Sequence, residues 1–116
     1  MKNLFLSLGS LLWLAACSLP DDFSFDVPVE NRTKVKSFSC ERWFQVSDNS
    51  VKSTCDIDNR EPAETGSLVI LAFDSNGELL GRTQIGKVTI GEKLRLNKGM
   101  KMHSMKTPAL VTLEVE

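Results

Sequence analysis

From Lys34 onward, apolar and polar residues change places at nearly every step, and no stretch there carries the period of an amphipathic helix. Period two is the signature of a strand with one face in a core. In "VKSFSCERWFQV", Phe38, Cys40, Phe44 and Val46 fall on one face. Ser39, Glu41 and Gln45 fall on the other, with Trp43 on the polar side and Arg42 intruding on the apolar one. In "VKSTCDIDN", Val51, Cys55 and Ile57 alternate with Lys52, Thr54 and Asp56. Both cysteines therefore sit on apolar faces, as a bridge between neighbouring strands requires. A pair closing a loop of 15 residues stabilises by about 3 kcal/mol in the chain-entropy model. The competing readings of Cys40 and Cys55 are free thiols or a metal site, which a single distant histidine serves poorly.

The remaining segments repeat the theme. "SDNS" at 47–50 is a turn, and "REPAETG" at 60–66 is a loop. "SLVILAF", 67–73, is nearly all apolar, the pattern of a central strand buried on both faces. "DSNG", 74–77, supplies the residues of a hairpin turn. "ELLGRTQIG" and "KVTIGEKLRLN" give two more strands, interrupted by Gly81, Gly86 and Gly91, and "PALVTLEVE" gives a last one. About six short strands at regular spacing predict an all-β, small antiparallel β-sandwich over residues 34–116. Residues 17–33, with two prolines, several acids and no period, predict a tether, in which Phe23 and Phe25 are docking points.

The N-terminus has a different logic. Lys2 precedes an apolar run, Leu4 to Ala16, that is short for a bilayer span and ends in the small residues Ala15 and Ala16. Residues 1–16 therefore read as a signal peptide. Leu14-Ala15-Ala16-Cys17 resembles the lipobox of bacterial lipoproteins. The resemblance implies cleavage before Cys17 and a mature N-terminus carrying acyl chains, palmitate among them. A single chain anchors only marginally, at about 0.8 kcal/mol per buried CH₂, so several chains are needed for stable attachment. The other reading is an ordinary secretory leader with an incidental cysteine. By the sorting rule of such lipoproteins, Ser18 after the cysteine implies the outer membrane, with the domain facing the periplasm. Lys2 leaves with the leader, so 14 basic residues become 13 against 15 acidic ones, a net charge of −2.

A second resemblance covers Cys55 to Asn97. Asn59 closing a strand, "LAFDSNG" at 71–77 and "VTIGEKLRL" at 88–96 resemble the FxLYD-type module of bacterial secreted proteins. Phe73 stands where that family usually has tyrosine, and Ile90 where it often has proline. The resemblance implies an immunoglobulin-like β-sandwich with no catalytic site, used as a binding or spacing unit.

Catalytic readings find little support. His103 is the only histidine, and no nucleophile elbow, HExxH helix or phosphate loop occurs. Asp56 and Asp58 alternate outward on one strand, where both would be solvated. "GMKMHSMK", 99–106, raises a different chemistry, because Met100, Met102, His103 and Met105 are soft ligands suited to Cu(I) or Ag(I). Lys98, Lys101 and Lys106 would repel such an ion, and Met100 with Met102 also suits a core face.

Charge is uneven along the chain. Residues 82–106 hold Arg82, Lys87, Lys93, Arg95, Lys98, Lys101 and Lys106 against Glu92 alone, whereas residues 17–64 are net acidic. This predicts a polarised molecule with a basic end for an anion, lipid or acidic protein. The alternative is a solvated face whose lysines guard a sheet edge. Trp43 on a polar face predicts either a binding patch or a ring covered by the tether.

Together these features predict a non-enzyme without cofactor: an outer-membrane lipoprotein, attached through Cys17, whose domain binds an envelope protein as accessory or assembly factor. Pilotin-like helpers are one such class, and nucleic acid is excluded by compartment. The second reading is a ligand-binding lipoprotein using the Met/His loop or the basic patch of Trp43, Arg82, Lys87, Lys93 and Arg95. A third is a lysozyme inhibitor, against which stands the lack of any tyrosine.

Overall fold

The computed structural model describes residues 23–61 and 63–116. The leader, Cys17 and the first tether residues lie outside the described residues. The described chain is all-β, in nine strands. These are β1 (Ser24–Phe25), β2 (Val29–Asn31), β3 (Ser37–Cys40), β4 (Trp43–Ser47), β5 (Ser50–Asp58), β6 (Leu68–Phe73), β7 (Leu79–Gly86), β8 (Lys93–Met102) and β9 (Leu110–Val115). They form one curled sheet in the order β1-β4-β5-β8-β7-β6-β9-β2, with β3 also paired to β5.

The sheet has two well-paired halves and a narrow join. β5 and β8 pair along their length, from Ser50↔Lys101 to Asp58↔Lys93. β6 is flanked by β7 and β9 throughout. Between the halves, β7 meets β8 only at Gly81↔Met102 and Arg82↔Lys101. At this crossing a Cβ on Gly81 would stand 2.6 Å from Met102 Sδ and 3.0 Å from the Lys101 carbonyl. Glycine is what lets the two backbones approach.

Two expectations change here. The sheet is mixed, because β2 runs parallel to β9, from Val29↔Val111 to Asn31↔Leu113. Nearly the whole domain lies between these strands in sequence, so no hairpin dictates their direction. Residues expected to be tether also carry β1 and β2. Phe25 stacks on Trp43 at 6.0 Å, and the Gln45 amide donates to the Phe23 carbonyl at 2.9 Å. Strands of two and three residues are too short to display a period, which hid them from the sequence.

One core serves both halves. Trp43, Val51, Cys55 and Ile57 belong to the same buried cluster as Leu68, Ile70, Ala72, Val111 and Leu113, together with Met100 and Met102. Leu68, Val69 and Ile70 are buried in succession, so β6 is covered on both faces over its first half, whereas Leu71 and Phe73 are half-buried. The hairpin between β6 and β7 follows from "DSNG". Asp74 Oδ1 accepts from the amides of Asn76 and Glu78, and Gly77 takes the positive φ of 84° that closes the turn.

The faces of β4 are opposite to those expected. β3 pairs with β5 as Cys40↔Cys55, yet β4 pairs with it as Phe44↔Lys52. Four steps along β3 and β4 thus match three along β5, leaving one extra residue at Glu41–Arg42. Such a bulge moves the side chains that follow to the other face, until the pairing shifts again between Gln45 and Ser47. Trp43 is therefore buried, and Phe44 and Val46 are 55% and 59% exposed. The Glu41 amide donates to the Thr54 carbonyl, and Ser53 Oγ donates to the Glu41 carbonyl, so the bulge is fixed at both polar groups.

Candidate functional site

The disulfide expected between Cys40 and Cys55 is present, joining directly opposed residues with Cα atoms 4.0 Å apart. It pins β3 to β5 immediately before the bulge, where the pairing shifts.

The four soft ligands differ in burial. Met100 and Met102 are fully or almost fully buried on the core side of β8, and Met105 packs against the same core. The next residue, His103, is exposed. Met100 and Met102 therefore fill the space above Gly81, where a flexible chain suits an irregular gap. Among the described residues, no three His, Cys, Asp or Glu side chains gather as a metal site.

Trp43 is covered, and the cover is Phe25. Its Nε1–H meets no acceptor among the described residues, so packing alone holds the ring. The proposed basic patch is likewise divided. Arg82 pairs with Glu116, and Arg95 reaches Glu41 at 2.5 Å and Asp56 at 3.4 Å. Lys106 lies 3.8 Å from Asp74. Lys87 and Lys93 are exposed, Lys93 opposite Asp58 at the start of β8. Half of the apparent charge excess is thus spent against carboxylates from distant parts of the chain.

A polar hub that the sequence did not single out lies at the far end of β5. Asn59 is fully buried. Its side-chain N–H groups donate to the carbonyls of Glu64 and Val88, and its Oδ1 accepts from the Glu64 amide at 2.7 Å. The Glu64 carboxylate accepts from the amides of Lys34 and Gly66. These bonds, the Lys34 amide foremost, hold its pKa below the ordinary value. Beside it the Arg60 guanidinium grips both oxygens of Asp58 at 2.9 Å and lowers that pKa to about 2. Every group in the hub is satisfied, so it joins three loops and leaves no free acid or base. The only sequence cue was a strand ending in asparagine.

What stays open lies on the outer faces. One hollow, of about 250 Å³, is lined by Phe44, Val46, Lys52, Thr54 and Asn97 with Glu41 and Arg42. Another, of about 410 Å³, lies where β6 ends and β9 begins, lined by Phe73, Ala109 and Leu110. Arg32 and the 74–77 turn form its rim. Arg32 is held by Glu30 at 2.7 Å and Glu114 at 3.3 Å. The Asp74 pKa is lowered, first by the Glu78 amide. A carboxylate bound into its own turn and an arginine paired twice give a rigid polar rim around an apolar floor. Such an arrangement can hold a side chain, with the Ser75 hydroxyl also at its edge.

No protein-family model matches this chain, and neither curated proteins nor solved structures yield a match. The lipobox and FxLYD-type resemblances therefore rest on the quoted residues. Among the described residues no helix is long and apolar enough to cross a membrane.

Proposed function

We propose that this protein is a non-catalytic outer-membrane lipoprotein, held by acyl chains on Cys17, whose β-domain binds an envelope protein as an accessory or assembly factor. The observation that carries the reading is the larger hollow, where Phe73, Ala109 and Leu110 form an apolar floor inside a fixed rim. Small apolar pockets with convergent polar edges are where a partner's anchoring side chain gains most. Tethering adds to this, because confinement to one membrane raises the effective concentration towards another membrane-bound protein without any new contact.

A photo-crosslinking residue at Leu110, in cells, tests the binding. The expected result is a discrete envelope-protein adduct that disappears when Ala109→Arg fills the hollow. Unchanged adducts in that variant would overturn the site. Cys17→Ser tests the anchor, since it should release the protein from the membrane fraction with its fold unchanged, and full retention would overturn it.

A further inference from the structure

We propose that the outer face of β4, β5 and β8 nearest the Asp48–Asn49 turn rests on the headgroup layer of the membrane that holds the protein. Phe44 and Val46 would enter the interface, and Lys52 and Lys101 would meet lipid phosphates. The proposal rests on the lipidated Cys17 proposed above.

The direction of the chain is the first argument. β1 runs antiparallel to β4, with Ser24 opposite Phe44 and the Phe23 carbonyl bound by the Gln45 amide. From Phe25 back to Phe23 the chain runs along β4 towards its turn. Only six residue steps separate Phe23 from Cys17. Even fully extended they span at most about 20 Å. A domain held on so short a leash meets the bilayer with the end from which the leash emerges.

The chemistry of that end is the second argument. Phe44 and Val46 are over half exposed, and Phe44 is directly opposite Lys52 on β5. Lys52 in turn faces Gly99 on β8, which adds no side chain to cover the aromatic ring. Lys101, opposite Ser50, shares this face. Neither lysine has a carboxylate partner among the described residues, whereas Arg95, further along the same face, has two. Asp48 and Asp56, each four residues from Lys52, are the opposing charges nearest to it in sequence, and Glu41, which lines the same hollow as Phe44, is engaged by Arg95. An exposed aromatic beside free lysines suits an anionic interface, since the ring enters the acyl boundary while the amines stay with phosphate. At the opposite end, exposed Ile90 sits in the 87–92 loop beside the Asn59 hub, far from the leash.

The test uses the mature lipoprotein reconstituted in phosphatidylethanolamine–phosphatidylglycerol vesicles with brominated acyl chains. Phe44→Trp and Ile90→Trp are compared after subtracting the emission of the unsubstituted protein, whose Trp43 is buried. Both positions are exposed, so neither change disturbs the core. The expected result is severalfold stronger quenching at position 44 than at 90, falling when Lys52→Glu and Lys101→Glu are added. Equal quenching at both positions, or stronger quenching at 90, in protein whose N-terminal peptide carries acyl mass, would overturn the facing alone. An N-terminal peptide without acyl mass would overturn the anchor and this proposal with it.

Discussion

The half of the sheet around β5 and the half around β6 contribute to one core by different means. Around β6 a strand of apolar residues has full-length partners on both sides: the pairing with β9 runs unbroken and carries Ile70, Val111 and Leu113, while the pairing with β7 shifts register only near its two ends, at Leu68/Val69 and Ala72/Phe73. Around β5 one edge is shared by two short strands, of four and five residues, with a bulge between them. That edge is pinned by a disulfide before the bulge and by the Phe25–Trp43 stack after it. A strand that changes face midway loses ladder bonds and register, so cross-links and large rings do what continuous pairing does elsewhere.

This contrast can be broken experimentally, beginning with the core. Trp43→Ala should cost about 4 kcal/mol and Ile70→Ala about 3 kcal/mol. Because the two residues share one core, each should shift a single denaturant transition. Separate transitions for the two halves would disprove the common core. Replacing Cys40 and Cys55 together by alanine should cost about 3 kcal/mol. Reductant should bring the native protein down to the same level, and an unchanged melting temperature would show that the bulged edge needs no staple. Gly81→Val, at the join, should cost about 2 kcal/mol through overpacking against Met102. A neutral result in thermal melts would mean the halves can separate there without loss.

Acid offers a subtler probe of the hub. The folded pKa of Asp58, about 2, lies below its ordinary value of 3.8. Its carboxylate therefore stabilises the fold above pH 3.8, and that contribution is lost as pH falls through 2. Asp58→Asn should flatten the dependence of melting temperature on pH between 4 and 2, and an unaltered slope would remove Asp58 from the account. The smallest effect is the most diagnostic for the bulge. Phe44→Ser should change stability by less than about 0.5 kcal/mol, as at an exposed site. A loss as large as that at its neighbour Trp43 would restore the uninterrupted alternation.

How much of this was legible can be judged residue by residue. "SLVILAF", "DSNG" and "PALVTLEVE" announced a strand, a turn and a strand, and all three formed where expected. Cys40 and Cys55 announced their bridge through the faces they occupied. Trp43 and Phe44 exchanged roles because a single extra residue is invisible to a period-two reading. The charges misled for a related reason: Arg82 and Arg95 lie in a basic segment, but Glu116 and Glu41, which neutralise them, are distant in sequence. The candidate hollow at Phe73 and Leu110 was not legible either, since it forms only where the ends of two strands and a turn converge.

The sequence by itself determined the class of fold, the disulfide and most turns, because alternation, cysteine placement and glycine-bearing turns act within a few residues. Tertiary structure decided the parallel β2–β9 pair, the place of Phe25 over Trp43, the burial of the methionines and the exposure of Phe44. Each of these depends on which strand lies alongside which, and that is settled by closure of one shared core.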